Sequence, residues 1–355
     1  MNDINARLSY LDDTQEMLAY SQKRSSIRDD FKRFLKQLPH SPVIGDGTPE
    51  DIRKFLVFKD SCGKTQVHVL LCPNMGKTGL QRCLCPRRLA SGTVAGIIQH
   101  LKSIYEFIGK GRIWFPHDNT GNPACAPEVR LFLKAIKEEQ ASSHVLPKQS
   151  KPLFVRKLRL LSIFIRSCLD DLSISSRDRF IFARDQAFFK IQFFGGDRAG
   201  DLTLTKLQEV KQLPGDDGVL LSHSFGKTLR GDRKVNCFAL KPCEDHVICP
   251  VRRLQLYFST MKGLGVFRDT GYLFRTITER EVVSLDHVSY SAIYDRLKYY
   301  LRSLSMDEGE TPHSIRGGCA ISYMLSGAAA TPSDVMKHVG WFTEKVQRDI
   351  QEQIY

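Results

Sequence analysis

Apolar residues recur along the first part of the chain at the three- and four-residue steps of a helix. Met17, Leu18, Ile27, Phe31, Phe34, Leu35 and Leu38 do so between Lys and Arg, which predicts helix up to the Pro/Gly-rich break at 39–47. Thr48-Pro49-Glu50-Asp51 opens a second helix, with Ile52, Phe55, Leu56 and Phe58 on its apolar side. A third is predicted over 91–109 from Val94, Ile97, Ile98, Leu101, Ile104, Tyr105 and Ile108, and a fourth over 127–140 from Val129, Leu131, Leu133 and Ile136. The stretch 141–152 is polar, holds Pro147 and Pro152 and has no apolar period, so it reads as a linker. Helices resume at 153–171 and at 175–194, the latter ending on Gly195-Gly196, a pair that permits a left-handed helix end. The period then shortens. Leu202-Thr203-Leu204, Val219-Leu220-Leu221 and Asn236 to Leu240, spaced by turn residues at 214–218, predict a small antiparallel sheet. Further helices follow from Cys249, over 289–304 with its Tyr and Arg, and from Thr311, where Ile321 to Leu325 is core-like. The predicted fold class is mainly α with a small antiparallel β-sheet, a helical domain at 1–140 preceding an α+β domain at 153–355.

A chain of 355 residues can bury one or two cores. Its 52 Lys and Arg exceed its 39 Asp and Glu, and the net charge of +13 makes a polyanion the first partner to consider, nucleic acid ahead of acidic membranes. The sequence has neither an apolar run long enough to cross a bilayer nor a charged-then-apolar leader, so neither a membrane span nor secretion is expected. Inside the cell the ten Cys are expected to be thiols or metal ligands rather than disulfides.

The candidate chemistry lies downstream. Thr311 as N-cap and Pro312 in the first turn set His313 and Arg316 three residues apart on one helical face. A guanidinium fork beside an imidazole suits a phosphodiester, although a basic helix surface produces the same pair by chance. Upstream, Gly196-Asp197-Arg198-Ala199-Gly200-Asp201-Leu202 supplies a second Arg with an acid three residues on, for which a surface ion pair is the plain alternative. The run Ser222-His223-Ser224-Phe225-Gly226-Lys227-Thr228-Leu229-Arg230-Gly231 reads as a hairpin with a Lys near its turn. Lys337-His338-Val339-Gly340-Trp341 closes the set.

Arg, Lys, His-x-x-Arg and Gly-Trp, in that order, resemble the catalytic domain of the tyrosine recombinases, the phage-integrase family. The phrases Gly-Asp-Arg-Ala-Gly-Asp-Leu and Phe-Gly-Lys-Thr-Leu-Arg-Gly are similar to those of recombinases of eukaryotic mobile elements of the Crypton kind. The resemblance is clear over 153–341 and looser before it. It implies that residues 1–140 form a core-binding domain that clamps double-stranded DNA and that 153–355 form the catalytic domain. By the same resemblance Arg198 and Arg316 grip the scissile phosphate with His313 and Trp341, His338 being the alternative to Trp341. Asp201 supports the arrangement, and Lys227 protonates the leaving 5′ oxygen, with Lys234 the alternative. No cofactor is expected for catalysis. A homo-oligomer, a tetramer on DNA, is expected to carry out DNA recombination and integration in the nucleus.

The nucleophile departs from the pattern. In most relatives a Tyr follows the His/Trp position by about nine residues, two and a half helical turns, and that place here holds Ile350 beside Asp349. Tyr355, fourteen residues beyond Trp341, is the remaining candidate. Three readings stay open: cleavage through Tyr355 with a 3′-phosphotyrosyl intermediate, a chain lacking its natural end, and a recombinase-derived protein that binds DNA without cutting. A type IB topoisomerase-like enzyme, which uses the same phosphate chemistry, is a further reading.

A separate cluster interrupts the first domain. His68, Cys72, Cys83 and Cys85, spaced His-x3-Cys-x10-Cys-x-Cys, offer four ligands for a structural zinc, against the plainer reading of buried thiols. For Cys237, Cys243, His246 and Cys249 scattered core thiols are the preferred reading.

Overall fold

The computed structural model describes residues 4–10, 21–76, 83–145, 151–223, 236–266, 270–328 and 331–339. The chain divides into two compact units, Met1–Lys148 and Gln149–Tyr355. The break falls inside the polar stretch 141–152.

Among the described residues the core of the first unit is built by α1 (Ser21–Leu35), α2 (Pro49–Asp60), α3 (Ser91–Tyr105) and α4 (Pro127–Ser142). Thr48 caps α2 reciprocally: its Oγ1 accepts from the Asp51 N–H at 3.2 Å while Asp51 Oδ2 accepts from the Thr48 N–H at 2.9 Å. Phe31 and Leu35 of α1 meet Ile52, Phe55 and Leu56 of α2 in a core shared with Leu101 and Ile104 of α3 and Val129 of α4. The Phe31 and Phe55 ring centres lie 4.9 Å apart. Three expectations shift here. Helix α3 stops at Tyr105 and passes into a wider turn over Glu106–Lys110, in which Gly109 has φ +84°, so Ile108 is exposed. On α4 it is Phe132, beside Leu133, that packs against the core, while Leu131 is exposed. Phe58 is also exposed, although its ring lies 5.3 Å from that of Phe34. Helix α4 continues to Ser142 because Gln140 is buried and anchored, its Oε1 accepting from Ser91 N–H at 2.9 Å and its Nε2 donating to the Leu89 carbonyl at 2.8 Å.

The second unit is organised around α6 (Ser176–Gly195), packed by α5 (Val155–Asp170), α8 (Pro250–Gly263) and α10 (Pro312–Leu325). Helix α6 is buried on every side, as a helix at the centre of a bundle must be, with Phe180, Ala183, Phe188, Phe189 and Ile191 at 0% exposure. Polar residues on it are therefore obliged to find partners. Asp185, 0% exposed, accepts from Arg184 (2.7 and 2.9 Å), from Arg296 Nε (2.8 Å) and from the Tyr300 hydroxyl (2.7 Å), the last two on α9 (Tyr290–Ser303). After the short pairs β1 (Thr65–Gln66) with β2 (Arg87–Arg88) and β3 (Trp114–Phe115) with β4 (Thr120–Gly121) of the first unit, the sheet of the second is antiparallel in the order β5 (Val210–Gln212), β6 (Val219–His223), β7 (Asn236–Leu240), with Val210 opposite Leu221 and Leu221 opposite Phe238.

Leu202-Thr203-Leu204, expected as a strand, instead closes a short helix α7 (Ala199–Thr203). Asp201 and Leu202 both donate their N–H to the Arg198 carbonyl, at 3.0 and 2.9 Å, and the side chains of Leu202 and Thr203 are buried. The β5 strand eight residues later takes the expected place in the sheet. Leu325, expected in the core, is 68% exposed, because α10 ends there and the chain turns at Gly327, φ +72°. A helix α11 (Pro332–His338) follows. None of the helices among the described residues is long and apolar enough to cross a membrane.

Candidate functional site

The site lies where the end of α6, the start of α10 and the end of α11 meet. Gly196 takes the left-handed conformation at φ +57° that ends α6. The turn is also too tight for a side chain: a Cβ on Gly196 would come 2.6 Å from Val339 Cγ1, and one on Gly195 would come 2.5 Å from the Phe238 ring. Gln192, fully buried, spans the junction by donating to the Pro312 carbonyl at 2.7 Å. Helix α10 is pinned by backbone contact, since Leu153 N–H donates to the Ser314 carbonyl at 2.9 Å and a Cβ on Gly318 would fall 1.8 Å from the Leu153 carbonyl oxygen. Gly318 thus allows a close backbone approach just after Arg316.

Three of the sequence-predicted residues come together on this frame. Arg198 is the N-cap of α7, its side chain 27% exposed, and its Nη1 lies 3.6 Å from Asp201 Oδ2. His313, in the first turn of α10, is exposed. Arg316, one turn further on, is not: it is 1% exposed and its Nη2 donates to the Val339 carbonyl. The three act on one another. Burial and the Arg198 charge press the Arg316 guanidinium down to about 10, with Asp197 and Asp201 opposing. Desolvation, Arg316 and Arg198 together hold the His313 imidazole below its ordinary value. The surface therefore offers the partly exposed Arg198 and His313, with the charge of the buried Arg316 close by. The expectation that Arg316 grips the phosphate directly meets a side chain that is buried and whose Nη2 is tied to the Val339 carbonyl.

Two contributors had no role in the sequence reading. Asp197, 3% exposed, accepts from the Arg198 N–H at 2.8 Å through Oδ1, and its Oδ2 lies 2.8 Å from His223 Nε2. His223 Nδ1 is 3.2 Å from the Thr205 hydroxyl. Burial disfavours a charged His223, but the Asp197 carboxylate outweighs it and raises its pKa. The pair fixes the backbone from which Arg198 projects. Its signal was present: Val219, Leu221 and His223 alternate onto the buried face of β6. His338, the alternative to Trp341, has its Nε2 3.0 Å from the Phe194 carbonyl and its ring 4.8 Å from Tyr323, which gives it a packing role. Lys227, Lys234, Trp341 and Tyr355 lie outside the described residues.

In the first unit the structure brings His68, Cys72, Cys83 and Cys85 together, their donor atoms all within 4.8 Å of one another. His68 Nδ1 is 3.4 Å from Cys72 Sγ and 3.5 Å from Cys83 Sγ. Zinc–sulfur and zinc–nitrogen bonds of about 2.3 and 2.05 Å at tetrahedral angles give an N···S edge of about 3.5 Å, so both separations fit one ion. The frame is a two-stranded ribbon, β1 (Thr65–Gln66) with β2 (Arg87–Arg88), packed so closely that a Cβ on Gly63 would lie 1.9 Å from the Arg88 carbonyl carbon. Gln66 Nε2 donates to the Cys85 carbonyl at 3.0 Å and toward Cys83 Sγ at 3.1 Å. The Cys85 backbone N–H, ahead of further hydrogen bonds, holds the Cys83 thiol below its ordinary pKa. At Cys85 a backbone hydrogen bond from Val69 is outweighed by burial, Cys72 and Cys83, which push that thiol up, so without a metal the cluster favours one thiolate over its neighbours. Among the described residues Cys237, Cys243, His246 and Cys249 do not form such a cluster.

The fold of the chain is that of the tyrosine recombinases and integrases. It superposes on the Tn1549 transposon integrase in complex with circular intermediate DNA with a TM-score of 0.51 at 12% identity, covering 96% of this chain and 92% of that one. The same integrase with transposon right end DNA gives a TM-score of 0.52 at 13% identity over the same shares. At these identities the likeness concerns the fold alone. Sequence relatives are of another kind. Protein LIGHT-DEPENDENT SHORT HYPOCOTYLS 5 of Arabidopsis thaliana is 32% identical over 135 residues, 37% of this chain and 71% of that protein. Protein LIGHT-DEPENDENT SHORT HYPOCOTYLS 6 of the same plant is 33% identical over 135 residues, with 65% of its length spanned. Residues 11–138 match the ALOG domain, and through them the chain belongs to the ALOG-domain family.

Proposed function

We propose that this protein binds double-stranded DNA and seats one backbone phosphate against Arg198 and His313, above the buried charge of Arg316. The observation that carries the reading is the mutual electrostatic influence of these three residues at the junction of α6, α7 and α10. In this reading the protein derives from a recombinase of a eukaryotic mobile element of the Crypton kind, works in the nucleus, assembles as a tetramer on DNA, and uses its ALOG-matching unit as the other half of a DNA clamp. The full reaction is a metal-free transesterification. The Tyr355 oxygen, its proton passing to solvent, attacks phosphorus in line, the bond to the 5′ oxygen breaks, and a 3′-phosphotyrosyl link forms while Lys227 gives a proton to the departing 5′ oxygen. Arg198, Arg316 and His313, together with Trp341, stabilise the charge that builds on the phosphorane.

A second reading, DNA binding without cleavage, is favoured by Ile350 at the spacing where the nucleophile usually stands. A pool of nicked duplexes separates the two. Covalent protein–DNA adducts that survive denaturant, and disappear in Tyr355→Phe, establish the reaction; bound duplex without adduct establishes the second reading.

His313 gives this reading a pH signature. The ring's pKa is held below the usual value near 6.5 in the free protein, and an adjacent phosphate raises it in the complex, so binding takes up a proton. Affinity for duplex is expected to rise as the pH is lowered from about 8 to about 5.5, and His313→Gln removes that rise. For folding the sign is opposite: a depressed imidazole makes this group's contribution to stability fall away as the pH drops.

We further propose that His68, Cys72, Cys83 and Cys85 hold a structural zinc beside the ribbon of β1 and β2. One equivalent of zinc per chain is expected by elemental analysis. Cys83→Ser or a strong chelator is expected to remove it and lower the melting temperature of the first unit. Full stability without metal contradicts the assignment.

A further inference from the structure

At the opposite end of α6 lies a cavity of about 580 Å³ whose lining includes Arg166 of α5, Arg179 in the first turn of α6, and Arg252 and Arg253 of α8, with His246 just before α8. Along α6 it is separated from the Arg198 site by roughly 25 Å. Its volume falls in the range of sites that enclose small molecules or single charged groups.

The charges around it do not balance. Asp170 is the one carboxylate on the lining, and its Oδ2 is 3.7 Å from Arg166 Nε. Arg179 donates to the Leu169 carbonyl at 3.0 Å and the Asp171 carbonyl at 3.3 Å, and its charge also acts on the Asp171 carboxylate, which is not part of the lining. Arg253 is half-buried. One of its nitrogens donates to the His246 carbonyl at 2.9 Å, while its buried Nε has no hydrogen-bond partner among the described residues. Burial, then Arg166, and with a smaller share Arg252, press Arg253 below its ordinary pKa, with Cys249 and Asp170 opposing. An anion entering this space would meet the exposed Arg166 and Arg252 and the half-buried Arg253 together, and would ease the partial burial of the last. Four guanidiniums around one space match an anion with several oxygens and at least two charges better than a single carboxylate.

We propose that this cavity is a binding site for a phosphate-bearing anion, separate from the Arg198 site and independent of the proposed strand chemistry. The phosphate comes either from a free polyphosphate-type small molecule or from the backbone of a DNA segment, and the test distinguishes them. Pyrophosphate and a short duplex are each titrated into the full chain in about 0.15 M NaCl, using the wild type, Arg253→Gln, the exposed Arg252→Gln, and Arg198→Gln. Circular dichroism and melting check folding, and Arg252→Gln decides if Arg253→Gln folds poorly. Pyrophosphate binding weakened about tenfold by the cavity variants but not by Arg198→Gln, with duplex affinity unchanged, assigns the site to a free polyphosphate. A comparable loss for the duplex assigns it to DNA. Cavity variants that alter neither pyrophosphate nor duplex binding overturn the proposal, as does pyrophosphate binding that only Arg198→Gln removes.

Discussion

Asp185→Ala is expected to destabilise the second unit by about 3–5 kcal/mol, the usual consequence of removing one member of a buried ionic network. Asp185 is 0% exposed and accepts four hydrogen bonds from Arg184, Arg296 and Tyr300. Its loss leaves Arg184, itself 4% exposed, with the Arg275 carbonyl at 3.1 Å as its other partner. Burial lowers the Arg296 pKa, but the Asp185 charge outweighs it and holds the guanidinium above its ordinary value, so the energetic tie runs from α6 to α9. For a unit of this size a loss of this order corresponds to a fall in melting temperature of about 10 °C. Asp185→Asn keeps the shape and part of the hydrogen bonding, so its effect is expected to be smaller. A melting curve for Asp185→Ala that overlays the wild type contradicts the importance given to this network.

The second large effect concerns Arg198. Arg198→Gln is expected to weaken duplex binding by about tenfold or more, in line with the 1.5–3 kcal/mol of a hydrogen bond to a charged group. Arg198→Lys is not expected to restore it, because an ammonium cannot present the two-pronged donor geometry that suits a phosphate. The fold should tolerate both, since the Arg198 side chain is partly exposed and the buried Asp197 is held by the Arg198 backbone N–H and by His223. Arg316→Gln acts differently. It removes one of the two charges that hold His313 down, so the pH at which duplex affinity rises is expected to move upward.

Periodicity carried most of the architecture because most helices here bury one clear stripe. Phe31, Leu35, Ile52 and Phe55 were legible as core, and the Gly195-Gly196 stop of α6 was legible because only a residue without a Cβ fits that turn. Misreadings fell where an apolar triplet carries no period of its own. Leu202-Thr203-Leu204 suits a strand or a helix equally, and the hydrogen bonds to the Arg198 carbonyl settled it as helix. Leu325 read as core because it follows Ile321 and Met324, yet α10 has left the core by then. At the site, the spacing of His313 and Arg316 placed both on α10 but said nothing of depth, and the two residues differ sharply in exposure. Asp197 and His223 were missed for a related reason. Each is an ordinary polar residue until the sheet brings β6 against the start of α7. The cysteine cluster was legible from ligand count alone, whereas its convergence across the stretch between Cys72 and Cys83 is a property of the folded ribbon.

The central claim is that Arg198 meets a DNA phosphate, and the salt dependence of duplex binding tests it most directly. Each phosphate contact contributes about 0.9 to the slope of log affinity against log salt concentration. Arg198→Gln is expected to reduce the magnitude of that slope by about 0.9 together with the loss of affinity. A variant that binds duplex with the wild-type slope and the wild-type affinity contradicts the account.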